Sequence, residues 1–174
     1  MSNRSKKVVL SARVAPHLKD GLELYARVKN IKIVEAVEEL IERALEEVNI
    51  ESPLRSTSGD RSKVPVSTII SWLWDPDPII FKLRLANVSP DLVDKETYLA
   101  YVETTSDRFK GDVDIFEDVR KRATYRDVYH KASINLERVR EEWADLVAYA
   151  KFIEANKPIV VDYEDWLRMI RPEA

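Results

Sequence analysis

Residues 8–14 alternate between apolar and polar positions. One face of this segment is apolar throughout and consists of Val8, Leu10, Ala12 and Val14. The other face is mainly polar and consists of Lys7, Val9, Ser11 and Arg13. A period of two is typical of a β-strand with one buried face. The pattern therefore predicts a short strand near the start of the chain.

Two amphipathic helices are predicted directly after this strand. Pro16 suits the first position of a helix, where the missing N–H removes no hydrogen bond. Apolar residues recur at helical spacing as far as Lys29, and Asn30 is typical of a left-handed stop. A second helix is predicted over residues 33–49, because glutamates lie opposite one apolar stripe. That stripe consists of Ile33, Val37, Leu40, Ile41, Ala44, Leu45 and Val48.

A helical C-terminal domain is predicted beyond a polar linker. Residues 51–66 concentrate Ser, Pro, Gly and charge, which is typical of a linker. A short helix or a buried turn is expected at 67–74. Residues 79–88 fit a strand or a helix, although Asp77 as a cap and Pro78 at the first position favour a helix. Another helix is expected from Ser89 to Phe109, with Gly111 closing it.

The strongest periodic signal predicts one long helix over residues 114–155. Its apolar seam follows alternating steps of four and three: Tyr125, Tyr129, Ala132, Leu136, Val139, Trp143, Leu146, Ala150 and Ile153. Such a seam fits a coiled coil or a helical bundle, and additional apolar residues beside it favour the bundle. A final helix is expected after Asp162. The predicted fold is thus mainly α, with domains at 1–50 and 67–174 and a linker at 51–66.

Few residue types suited to catalysis or metal binding are present. The chain has no cysteine and only two histidines, His17 and His130, which argues against thiol chemistry and histidine-rich metal sites. Asp pairs at 75/77, 112/114 and 162/165 stand at predicted turns or helix starts, where Asp caps backbone N–H groups. The basic side chains around Arg120–Arg122 are expected to pair with Glu117 and Asp118. We therefore expect no enzymatic activity, cofactor or metal.

Charge is distributed unevenly along the first fifty residues. Residues 1–30 carry seven basic side chains against two acidic ones, whereas residues 31–51 carry seven glutamates against two basic residues. A polyanion would therefore meet the N-terminal arm, the strand and the first helix. The net charge of −3 for the whole chain conceals this basic end.

A strand followed by two helices needs a second copy of itself. A lone strand leaves backbone groups unpaired on both edges, and fewer than fifty residues rarely bury enough apolar surface. Antiparallel pairing with the same strand of another copy solves both problems. The resulting two-stranded ribbon fits the major groove of B-DNA, where Arg bonds guanine and Ser bonds several base edges.

At this point the N-terminal segment resembles the ribbon-helix-helix superfamily of DNA-binding proteins (MetJ, Arc and CopG type). The residues that carry the resemblance are KKVVLSARVAPHL and the helical stripe that ends in AVEELIERAL. The resemblance implies that Val9, Ser11 and Arg13 read bases, with Lys7 at the end of the ribbon. It also implies phosphate contacts at the start of the second helix, usually near Gly and Ser or Thr. This chain has Asn30-Ile31-Lys32-Ile33 there instead.

The phosphate contacts are therefore expected from charged side chains. The candidates are Arg4, Lys6, Lys29 and Lys32. Positive charge on a short arm supplies the salt-dependent attraction that DNA binding needs.

The expected function is sequence-specific binding of double-stranded DNA by a homodimer, most simply a transcriptional repressor. One alternative is an antitoxin or plasmid-partition adaptor whose C-terminal domain binds a protein partner. A second alternative is an assembly protein whose N-terminal segment only dimerises. No apolar run approaches the ~20 residues needed to span a bilayer, so we expect a cytoplasmic, nucleoid-associated protein. The absence of Gln and Cys is also a feature of thermophile proteins.

Overall fold

The computed structural model describes residues 8–52, 63–122 and 133–171. Within these ranges the chain is mainly helical, with eight α-helices and two small antiparallel sheets. This confirms the predicted mainly α class. Contacts divide the described residues into a first unit, 8–52 with 63–71, and a second unit, 72–122 with 133–171.

The two N-terminal helices begin and end close to their predicted limits. Helix α1 spans Pro16–Lys29, with Pro16 at its start, and Asn30 adopts the predicted left-handed conformation with φ of 56°. Helix α2 spans Ile33–Glu47. It ends two residues earlier than predicted, because Val48 is extended and leads into a strand.

A small sheet lies where the sequence predicts a linker. Strand β1, Asn49–Glu51, pairs antiparallel with β2, Lys63–Pro65, in a register that sets Ile50 opposite Val64. Glu51 faces Lys63 across the pair, and opposite charges at such positions stabilise a sheet. The polar composition predicted a linker over 51–66, but both of its ends carry regular structure. Residues 53–62 lie outside the described ranges.

The predicted strand at residues 8–14 has no partner in the single chain. Residues 8–15 form neither helix nor strand, and all of them are exposed. The single chain therefore does not form the predicted strand, and a strand that pairs only with a second copy would lack its hydrogen bonds here.

The second unit begins with helices that the sequence predicts well. Helix α3, Val66–Leu73, crosses the boundary between the units. Helix α4, Pro78–Val88, settles the ambiguous segment 79–88 as helical. The carboxylate of Asp77 accepts a hydrogen bond from the Ile79 N–H at 2.8 Å, as predicted for a cap. Two further predicted caps are confirmed, since Asp114 accepts from Phe116 N–H and Asp162 from Asp165 N–H.

The prediction of a single helix over residues 89–109 is wrong. Only α5, Lys95–Glu103, is α-helical, and short 3₁₀ turns precede and follow it. Val93 is extended, and Asp94 then caps a new helix by accepting a hydrogen bond from Thr97 N–H at 2.7 Å. Gly111 lies in strand β3, Lys110–Asp114, and does not close a helix.

The prediction of one long helix over residues 114–155 is also wrong for the first half of that range. Helix α6 covers only Glu117–Arg122, and strand β4, Ser133–Ile134, pairs antiparallel with β3. Helix α7, Leu136–Ala155, starts at Asn135, whose side chain accepts a hydrogen bond from Arg138 N–H. The first three seam positions, Tyr125, Tyr129 and Ala132, lie outside the described residues.

The second half of the seam packs within its own chain. Leu136, Val139, Leu146 and Ala150 are buried, which favours the bundle over a coiled coil between copies. Helix α8, Tyr163–Ile170, follows its predicted cap and places Tyr163 and Trp166 beside Tyr149 of α7. The basic residues near α6 pair only partly as predicted. Lys121 bonds Glu117 at 2.7 Å, whereas Arg120 bonds Asp114.

Gly111→Ala is expected to destabilise the second unit by about 1–3 kcal/mol, the usual effect of overpacking. A Cβ on Gly111 would lie 2.5 Å from the carbonyl oxygen of Ile134 and closer still to the amide nitrogen of Asn135. Backbone atoms of a paired strand cannot move aside easily. Urea unfolding followed by tryptophan fluorescence measures this effect, because all four tryptophans belong to residues 72–171.

Gly21→Ala is the matched control and is expected to change stability in the opposite direction. Nothing lies within 4 Å of a Cβ added there, in the middle of helix α1. Alanine should therefore raise stability by about 0.5–1 kcal/mol through its better helix propensity. Equal destabilisation by the two substitutions, measured by thermal unfolding, would contradict the close contact at Gly111.

Candidate nucleic-acid interface

The candidate base-reading residues lie on the segment that leads into α1. Val9 is 96 % exposed on one face, and Leu10 is 73 % exposed on the other. Neither face of the alternating segment is therefore covered in the single chain. Both faces remain available to a partner, which is what pairing between copies requires.

Two of the predicted base readers are free of intramolecular partners. Ser11 and Arg13 are exposed and make no hydrogen bond or ion pair within the described ranges. Arg13 stands three residues before Pro16, where α1 begins. Its guanidinium thus keeps all five donors for a ligand. Arg4, Lys6 and Lys7 lie outside the described residues.

Helices α1 and α2 are joined by two buried alanines and a polar cluster. Ala26 and Ala36 are both buried. The Tyr25 hydroxyl donates to Glu39 Oε1 at 2.8 Å, and Arg43 Nη2 donates to the same oxygen at 2.9 Å. The Tyr25 hydrogen bond, helped by the charges of Lys29 and then Arg43, holds the pKa of Glu39 below its usual range. The cluster therefore links α1 to α2 through side-chain hydrogen bonds.

The two predicted phosphate contacts that fall within the described residues, Lys29 and Lys32, differ in their availability. Lys29 Nζ lies 3.5 Å from Glu39 Oε1 and 5.7 Å from the centre of the Tyr25 ring, so it belongs to the polar cluster. Lys32 is exposed and makes no ion pair with a described residue. Of the two, Lys32 is the better candidate for a phosphate.

The start of α2 is a poor anion site by itself. The Glu35 carboxylate accepts a hydrogen bond from the Lys32 N–H at 2.9 Å. A helix N-terminus attracts anions through free N–H groups and the helix dipole. Glu35 uses one of those donors and adds negative charge. Any phosphate near this point must therefore be held by lysine side chains.

A large apolar surface is exposed on the first unit. Among its described residues only Ala26, Ala36 and Ile69 are buried. The large apolar residues that remain exposed on this unit are Val8, Val9, Leu10, Val14, Leu18, Leu24, Val28, Ile33, Val34, Leu40, Ile41 and Val48. This many exposed large apolar side chains on one small unit favours association with another molecule.

No known protein family, curated protein or solved structure matches this chain. Within the described ranges, no helix is both long enough and apolar enough to cross a membrane. No group of three or more His, Cys, Asp or Glu side chains there could hold a metal ion.

Sequence reasoning did not anticipate the polar cluster or the role of Glu35. Tyr25 and Glu39 are separated by fourteen positions, so only the packing of α1 on α2 brings them together. The Glu35 contact has a local signal, since a Glu three residues after a cap often bonds the cap N–H. Lys32 lacks the hydroxyl that usually completes this pattern.

Proposed function

We propose that this chain is a homodimeric, sequence-specific DNA-binding protein that acts as a transcriptional repressor. The observation that carries the proposal is the exposure of the first unit, in which twelve large apolar side chains are exposed and, among its described residues, only Ala26, Ala36 and Ile69 are buried. An unpaired alternating segment directly precedes two helices in that unit. Pairing of residues 8–14 with the same residues of a second copy would satisfy the backbone and cover one face.

The proposed ribbon buries one face of the segment and presents the other to DNA. Val8, Leu10 and Val14 point toward the helices of the dimer. Val9, Ser11 and Arg13 then project from both copies into the major groove. That groove distinguishes all four base pairs, and Arg recognises guanine through two hydrogen bonds.

Charge on the first unit favours one orientation on DNA. The exposed face of α2 carries glutamates, including Glu35, Glu42 and Glu46, and these repel phosphates. Lys32 and the arm residues Arg4, Lys6 and Lys7 supply the attraction near the ribbon. Phosphate contacts of this kind set the position on DNA, and base contacts set the sequence.

Arg13→Ala is expected to remove sequence discrimination with less effect on random DNA. Each lost bidentate contact corresponds to about 1–3 kcal/mol of discrimination, and a dimer loses two. The measurement is selection of bound sequences from a random duplex pool with the full chain, followed by titration of the enriched site and of random DNA.

Arg27→Ala is the control, because Arg27 carries the same charge on α1 and is also exposed. This variant should weaken binding to the selected site and to random DNA by similar, small factors. Equal losses on both DNAs for Arg13→Ala would contradict base reading by the segment. Failure of the wild-type chain to enrich any sequence would instead favour a segment that only dimerises.

A further inference from the structure

The second unit contains a cleft of about 300 Å³ between α4, α5 and the β3–β4 sheet. Ligand sites in proteins start at about this size. Its apolar wall is formed by Leu83, Ile115 and Ile134. The opposite side is rich in hydroxyl and amide groups. The cleft therefore combines apolar cover with a few polar groups, as small-molecule sites do.

Asn87 and Tyr101 form one polar edge of the cleft. The Asn87 Nδ2 group donates a hydrogen bond to the Tyr101 hydroxyl oxygen. This contact leaves the Tyr101 O–H free to donate and the Asn87 Oδ1 free to accept, since no described residue bonds either of them. An adjacent donor and acceptor is complementary to an amide group.

Ser133 adds an unused hydroxyl to the same cleft. Its Oγ atom is buried and has no hydrogen-bond partner among the described residues. Buried polar groups without partners are uncommon in proteins, and such a group calls for an explanation. A bound molecule with a polar group would supply the missing partner.

Charge in the cleft is balanced. Lys110 is the one charged residue along its described wall, and its ammonium lies 2.5 Å from the Asp107 carboxylate. The ligand is therefore not required to carry charge. A carboxylate would in addition meet Asn87 Oδ1, an acceptor with which it cannot form a hydrogen bond.

We propose that this cleft binds a small uncharged ring compound that carries an amide, either an aromatic carboxamide or a pyrimidine base. The apolar wall covers the ring. Tyr101 and Ser133 donate to the amide carbonyl, and Asn87 Oδ1 accepts from the amide N–H. This site goes beyond the proposed DNA binding and does not depend on it.

Calorimetric titration of the full chain with nicotinamide, uracil and nicotinate tests the proposal. Nicotinate has the ring of nicotinamide but a carboxylate in place of the amide. We expect saturable binding of nicotinamide or uracil, with nicotinate at least tenfold weaker. Binding of nicotinamide alone identifies the ligand class as an aromatic carboxamide, and binding of uracil alone identifies it as a pyrimidine base. No saturable binding of either compound, or equal binding of nicotinate, would overturn the proposal.

Ser133→Ala separates a ligand contact from a structural role. This substitution should lower the affinity for the bound compound about three- to tenfold, the loss of one hydrogen bond, without lowering the melting temperature. Ser71→Ala, which removes an exposed hydroxyl of α3, should leave affinity unchanged. Unaltered affinity in Ser133→Ala would contradict the site. Retention of the chain on DNA, measured on the same samples, tests the proposed function independently.

Discussion

Leu10→Asp is expected to dissociate the dimer, whereas Val9→Asp is expected to leave it assembled. The two residues are neighbours, and both are largely exposed in the single chain. A monomer would therefore tolerate both substitutions equally. In the proposed ribbon, Leu10 faces the helices and Val9 faces the DNA, because side chains alternate along a strand.

The size of the effect follows from burial in two copies. Burying one leucine contributes about 1.5–3 kcal/mol, so a symmetric dimer loses about 3–6 kcal/mol when both are replaced. This corresponds to a rise of about 150-fold to 20,000-fold in the dissociation constant. Burial of the introduced carboxylate would raise it further.

Sedimentation equilibrium over a range of concentrations measures this difference. Leu10→Asp should sediment as a monomer where the wild-type chain is dimeric. Val9→Asp should remain dimeric and lose DNA binding, because its carboxylate repels phosphates. If both variants remain dimeric, or both dissociate, the alternation of residues 8–14 does not define a strand between copies.

Arg84→Met is expected to destabilise the second unit by about 2–5 kcal/mol, because two buried carbonyl groups lose their donor at about 1–3 kcal/mol each. The Arg84 side chain is only 3 % exposed, yet its guanidinium is fully engaged. Its Nε donates to Ile115 O at 2.6 Å, Nη1 to Leu73 O at 3.2 Å, and Nη2 to Asp118 Oδ1 at 2.5 Å. Methionine has a similar length but donates no hydrogen bond to the carbonyl oxygens of Ile115 and Leu73, two buried residues, and buried acceptors without a donor are strongly destabilising.

Arg140→Met is the matched control for this prediction. Arg140 makes a 2.6 Å ion pair with Asp77, but its side chain is half exposed. Exposed pairs contribute about 0–1 kcal/mol, so this variant should unfold close to wild type. Urea unfolding followed by tryptophan fluorescence gives both values. A loss below about 1 kcal/mol for Arg84→Met would contradict its structural role.

Local signals in the sequence correctly predict where several helices of this chain begin and end. Pro16 and Asn30 mark the ends of α1 because each acts through its own backbone preference. Asp77 and Asp162 mark helix starts because their carboxylates reach N–H groups two and three residues away. These signals depend on a few neighbouring residues and need no knowledge of the tertiary fold.

Structure that depends on residues distant in the sequence is not predicted correctly. The apolar seam of α7 continues towards the N-terminus in the sequence. The helix nevertheless begins only after Asn135, because the residues just before it form β4, which pairs with β3. Arg84 lies within the segment 79–88, but the acceptors that surround it come from Leu73 and from residues 115–118. The Tyr25–Glu39 contact also needs the packing of two helices. None of these contacts produces a periodic pattern in the sequence.

Cross-linking between copies tests the pairing of residues 8–14 most directly. The chain has no cysteine, so single cysteines can be placed at each of these positions and oxidised. In an antiparallel ribbon, each step from the two-fold centre separates equivalent residues by about 6.8 Å, twice the rise of a strand, and disulfides need Cα atoms within about 7 Å. We predict efficient cross-linking around one central residue and a steep fall on both sides. A uniformly low or flat yield would contradict the account.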